Sequence, residues 1–158
     1  MTSMAANAHR PGADVIRLVG LGGIGRHGVL PEERDDGQRF LVDLDIHLDT
    51  SAAAASDDLA ATVDYATVAH EVIALVEGEP VNLLETLAAR IADAVLAHGL
   101  VQAVDVTVHK PEAPLGLPYS DVQVRISRDT PRAAQPVPSE PVAVVGAVPS
   151  TPDEGVPA

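Results

Sequence analysis

From Gln38 to Leu48 apolar and polar side chains alternate, with Phe40, Val42, Leu44, Ile46 and Leu48 on one side and Arg39, Asp43, Asp45 and His47 on the other. A period of two over that length predicts a long strand with one buried and one wet face. The same alternation starts earlier, where Ile16 and Leu18 interleave with Arg17 and Val19 from Asp14 onward. It breaks up among Gly20, Gly22, Gly23, Gly25 and Gly28, glycines that inside a strand signal a bulge or a close backbone approach. Between these strands Pro31 to Asp36 reads as a charged turn or short loop, and after them Ser51 to Ala61 reads as a loop of small and acidic residues. The period then changes. Val68, Ala69, Val72, Leu75 and Val76 fall on one side of a helix over Tyr65 to Glu77 that Gly78 ends, and Leu84, Leu87, Ala88, Ile91, Ala92 and Val95 on one side of a second that stops at Gly99. Alternation returns at Val104, Val106 and Val108, and again at Val122, Val124 and Ile126, with Pro111, Pro114 and Pro118 stiffening the connection. Strand, strand, helix, helix, strand, strand (ββααββ) implies an α+β fold: a four-stranded antiparallel sheet with both helices on one face.

Composition sharpens this. The chain has 158 residues, enough for one domain, which is expected over 14–128. Residues 1–13 are small, polar and aperiodic, and residues 129–158 crowd Pro131, Pro136, Pro138, Pro141, Pro149, Pro152 and Pro157 without an aromatic residue. Both ends are expected to be disordered. Phe40, Tyr65 and Tyr119 are the aromatic residues, so the core must be aliphatic and small, and it gains from further burial against copies of itself. A net charge of −13 argues against nucleic acid and anionic membrane as partners. Without cysteine there are no disulfides, thiolate zinc sites or cysteine nucleophiles. No apolar run approaches the roughly twenty residues of a membrane span, so a cytoplasmic protein is expected.

Several side chains stand out as candidate chemistry. Asn82, with Glu85 three residues later, has the spacing of a capping box at the start of the second helix. A carboxylate there can equally hold the donor edge of a heterocycle beside unpaired helix N–H groups. Lys110 before Pro111 is ordinarily a solvated charge, Tyr65 a core aromatic at a helix start, and Glu33 part of a charged turn. His27 fits two readings, a pocket residue or a hydrogen-bonded structural one. His47 and His70 read as solvent-facing.

These residues lie in separated blocks: Gly20-Leu21, Arg26-His27-Gly28-Val29 and Glu33, Gly37-Gln38, Thr62-Val63-Asp64-Tyr65, Asn82-Leu83-Leu84-Glu85 with Leu87-Ala88, and His109-Lys110-Pro111 with Ala113-Pro114. In that order, over about Ile16 to Arg128, they resemble bacterial dihydroneopterin aldolase of the folate pathway. The resemblance implies the tunnelling fold, in which four subunits close their sheets into a barrel and two rings stack into an octamer. It implies retro-aldol cleavage of 7,8-dihydroneopterin to glycolaldehyde and 6-hydroxymethyl-7,8-dihydropterin. The pterin C=N bond serves as electron sink, so neither cofactor nor metal is expected. By position, Glu85 resembles the pterin anchor, Lys110 the general acid/base, Tyr65 the residue handling the hydroxyl and carbon protons, and Glu33 the one orienting water and the lysine. Leu84 and Val63 are implied as further substrate contacts. The alternatives are an epimerase of dihydroneopterin or its triphosphate, and a silent pterin-binding ring protein. No clustered histidines suit the zinc enzymes that share the tunnelling fold.

Overall fold

The structure is a computed structural model that describes residues 14–130. The disorder expected for residues 1–13 and for the tail lies outside the described residues, except that residues 129 and 130 are described. In chain order the elements are β1 (Asp14–Gly25), α1 (Pro31–Asp36), β2 (Gln38–Leu48), α2 (Ser51–Ser56), a 3-10 turn (Leu59–Ala61), α3 (Tyr65–Glu77), α4 (Leu84–Leu96), β3 (Ala103–His109) and β4 (Gln123–Asp129). The strands form one antiparallel sheet in the order β1-β2-β3-β4. The two long helices lie on one face, α3 over β1 and α4 over β3 and β4. This is the ββααββ sandwich that the alternation and the helical faces require.

The apolar positions of β2 from Phe40 to Leu48, together with Val104, Val106 and Val108, meet Val68, Val72 and Val76 of α3 and Leu87, Ala88, Ile91, Ala92 and Val95 of α4. All are essentially solvent-free. At roughly 1.5–3 kcal/mol for each large aliphatic side chain, their burial is the main force holding the helices to the sheet. Asp64 caps α3, accepting the Ala66 and Thr67 N–H groups. The expected bulge falls between Leu18 and Leu21, where the register of β1 slips against β2. Gly20 takes φ +72° there, and its N–H donates to Asp43 Oδ1 at 2.7 Å.

Three expectations need correction. Pro31–Asp36 is a helix, not a turn: proline starts it with its φ already set, and Glu32 and Glu33 suit the positive end. Six residues are too few to display a 3.6 period. Ser51 to Ala61 contains α2 and the 3-10 turn, which the alanine run favours. His47 is buried, at 3 % exposure, because the uncovered face of the sheet is itself a polar network. There His47 Nε2 meets Asp105 Oδ2 at 2.9 Å, and His109 bridges Asp43 (3.1 Å) and Asp121 (2.7 Å). Period two separates faces, but it does not say whether polar neighbours will close over one another. His70 is exposed, as expected.

Candidate active site

Lys110 follows the last residue of β3 and its N–H donates to Val122 O at 2.8 Å, so the sheet fixes where the side chain begins. The side chain runs inward. At 7 % exposure, its Nζ donates to Glu33 Oε1 at 2.5 Å and to His27 O at 3.1 Å, and it stands 5.7 Å from the Phe40 ring centroid. An ammonium has three donors, so one remains for whatever enters the adjoining cleft. Glu33, equally buried, also accepts the Leu30 N–H on Oε2 at 3.1 Å and a longer 3.4 Å contact from Gln38 Nε2. Burial opposes its charge, yet the hydrogen bonds from Lys110 and the Leu30 N–H outweigh that and hold the carboxyl below its ordinary value.

Gly28 makes room for this pair. A Cβ built there would lie 2.0 Å from Glu33 Oε2, and its φ of +148° is one that side chains rarely adopt. Its N–H donates to Val81 O at 3.0 Å, tying the β1–α1 loop to the segment before α4. His27 settles as the structural reading. Its ring is wholly buried, edge-on to Phe40 at 5.2 Å, with Nε2 donating to Val76 O (2.7 Å) and Nδ1 accepting the Val81 N–H (3.1 Å). Only the neutral Nε2–H tautomer satisfies both contacts. Burial lowers its pKa below the ordinary 6.5, the Val76 carbonyl opposing.

A depressed histidine pKa contributes stability above the unfolded value, and that contribution is lost as pH falls toward the folded one. The melting-temperature gap between wild type and His27→Gln should therefore narrow as pH drops from about 7.5 to about 5. A gap constant across that range would contradict the neutral ring.

The cleft, of about 420 Å³, is lined by Gly28, Leu30, Glu33 and Lys110 together with Asn82, Leu84 and Glu85. The capping box does not form: the N-cap of α4 is Leu83, with no side-chain cap, and the helix begins at Leu84. Asn82 Oδ1 instead accepts from the Arg34 guanidinium, and a charged donor outcompetes a backbone amide for it. Glu85 consequently falls at the second helical position. It is exposed, and it has no hydrogen-bond or ion-pair partner among the described residues. A carboxylate at the positive end of a helix, facing a cleft and spent on nothing else, is available to a ligand.

Glu33, Leu84, Glu85 and Lys110 are thus brought together, and two expected residues are not. Val63 is in the core at 4 % exposure, and Tyr65 stands exposed at the start of α3. His27, beside the lysine, binds Val76 at the other end of that helix. Eleven residues of rise separate Tyr65 from Val76, about 16 Å. Tyr65 is not among the residues that line the cleft. Arg34, Gln38 and the His27 carbonyl, which hold Asn82, Glu33 and Lys110, are supports of the site that the sequence did not disclose. The signal for Arg34 was its place beside Glu33 in a helix that was read as a turn.

This sheet-and-helix sandwich, with a buried lysine–glutamate pair and an open carboxylate across one cleft, defines a small-molecule site of the acid–base type. The family model described as dihydroneopterin aldolase matches residues 16–127. A dihydroneopterin aldolase from Streptomyces coelicolor is 59% identical over 115 residues, covering 73% of this chain and 97% of the relative. Among solved structures, dihydroneopterin aldolase from E. coli in complex with neopterin aligns with TM-score 0.67 and 31% identity, over 73% of this chain and 98% of that one. A Burkholderia dihydroneopterin aldolase bound to guanine aligns with TM-score 0.61 and 26% identity, over 75% and 92%. The chain belongs to the dihydroneopterin aldolase family.

Proposed function

We propose that the cleft binds 7,8-dihydroneopterin through Glu85 and that Lys110 and Glu33 drive its retro-aldol cleavage to glycolaldehyde and 6-hydroxymethyl-7,8-dihydropterin. The observation that carries this is the meeting in one cleft of an unspent carboxylate and a buried Lys110–Glu33 pair with one free donor. Neopterin and guanine, the ligands of the two aligned structures, share an aminopyrimidinone edge whose two N–H groups match a carboxylate. Leu84 supplies an apolar wall beside it. Val63, whose side chain is in the core, can offer only its backbone.

In the reaction the second side-chain hydroxyl loses its proton and becomes the aldehyde of glycolaldehyde. The bond between the first two side-chain carbons breaks, and its electron pair flows into the ring C=N. Lys110 supplies the proton at the ring nitrogen, directly or through a water that Glu33 orients, and takes it back when the side-chain carbon is protonated and the ring C=N bond re-forms. Tyr65 takes the hydroxyl proton and returns one to carbon. Incubating the purified protein with 7,8-dihydroneopterin and separating the products should give glycolaldehyde and the hydroxymethyl pterin. A mixture of intact stereoisomers alone would favour an epimerase, which the names of the matched relatives do not. Because the substrate holds its own electron sink, EDTA should leave turnover unchanged; loss of turnover restored by zinc would contradict this. Among the described residues no helix is long and apolar enough to cross a membrane, and a cytoplasmic enzyme suits a folate-pathway substrate.

The site is completed by a second copy. β1 and β4 are the edges of the sheet, so copies can join β4 to β1 around a closed ring of four, and two rings can stack into an octamer. Val29, Leu83 and Leu115, all exposed, line the cleft and offer apolar surface for the neighbour. That Tyr65 is exposed and does not line its own chain's cleft supports its delivery into the next.

A further inference from the structure

We propose that Arg34 is a specificity-setting residue that acts through Asn82, fixing the Asn82 amide as a hydrogen-bond donor toward the acceptor edge of the bound heterocycle. Arg34 follows Glu33 on α1 but does not line the cleft. Its Nε donates to Gly28 O at 2.8 Å, and an Nη2–H donates to Asn82 Oδ1. Gly28 and Asn82 both line the cleft, so one half-buried guanidinium ties the loop that leads to Glu33 to the segment that leads to Glu85. A guanidinium has donors only, so Asn82 must turn its oxygen to Arg34. Nδ2 is then the amide's remaining polar group, and it can only donate. A heterocycle whose donor edge lies on Glu85 has ring acceptors, a carbonyl oxygen or a nitrogen lone pair, next to that edge. Glu85 and Asn82, three residues apart at the start of α4, would read donor and acceptor edges together. Without Arg34 the amide can flip and offer its oxygen to the ligand's oxygen, which costs a hydrogen bond and adds a repulsion.

This assignment rests on the pterin reading of the cleft. Arg34→Met keeps an unbranched side chain that can cover the same surface as the arginine stem and removes its donors. It should raise KM for 7,8-dihydroneopterin by about tenfold, the value of one hydrogen bond, and leave kcat within about twofold. Arg34→Lys, with one contact restored, should fall between. Asn82→Leu keeps the size of the side chain and removes the donor without adding a charge beside Glu85, so it should raise KM as much, and the Arg34→Met/Asn82→Leu double variant should be no worse than the poorer single one. An unchanged KM in Arg34→Met, a fall in kcat and melting temperature with KM unmoved, or effects that multiply in the double variant would each overturn the proposal. Turnover by the wild-type chain is the control for the underlying reading. Its absence would count against that reading, while calorimetric titration with neopterin would still test Arg34 by the same tenfold loss.

Discussion

Replacing Lys110 by alanine is expected to lower kcat by about 10²- to 10⁴-fold while neopterin still binds, because the proposed proton-transfer group, Lys110, and the proposed pterin anchor, Glu85, are separate side chains of the cleft. Lys110 is held by Glu33 and the His27 carbonyl, and Glu85 by neither. The loss should exceed what misfolding alone explains. Removing the ammonium leaves Glu33 buried beside Gln38 and the Leu30 N–H without its counter-charge, so its pKa rises, and some stability is lost with it. Steady-state kinetics beside calorimetry on one preparation separates the two effects. More than half of wild-type turnover in Lys110→Ala would remove the lysine from the mechanism.

Gly28→Ala should be nearly as damaging although no functional group changes. The new methyl would occupy the place of the Glu33 carboxylate, 2.0 Å from Oε2, in a backbone conformation that L side chains resist. Either the carboxylate or the loop must move. Shifting Glu33 takes the lysine with it, and a displacement of about 1 Å at reacting groups costs on the order of 10²-fold in rate. Moving the loop breaks the Gly28–Val81 hydrogen bond and the seat of His27. Turnover should fall by about two orders of magnitude, with a stability loss of about 1–3 kcal/mol for the overpacking. An alanine variant with near wild-type turnover would show that the Glu33–Lys110 contact is not needed.

Much of the fold was legible because periodicity reports which face is buried. Val68, Val72 and Val76, or Phe40 to Leu48, could have been placed on core faces without any relative to compare. Partnership was less legible. Glu33 and Lys110 lie 77 residues apart, and nothing local to either says that the two meet; the resemblance suggested the roles, and only the folded chain brings the two into contact. Asn82 misled because capping and tertiary hydrogen bonding use the same oxygen, and a guanidinium 48 residues earlier takes it. His27 was undecided because a buried imidazole has the same sequence context whether it faces a ligand or two backbone groups. The short helix α1, which carries both Glu33 and Arg34, falls below the length at which a helical period can be read.

The central claim is that each site takes Lys110, Glu33 and Glu85 from one chain and Tyr65 from another, and mixing inactive chains tests it most directly. Lys110→Ala and Tyr65→Phe chains, each inactive alone, are co-expressed in equal amounts. In a closed ring every interface joins the lysine side of one chain to the tyrosine side of the next, so random assembly leaves roughly a quarter of sites intact. Turnover of 7,8-dihydroneopterin should recover to about that fraction of wild type. Mixed rings, verified by native mass spectrometry, that stay as inactive as either parent would contradict the shared site.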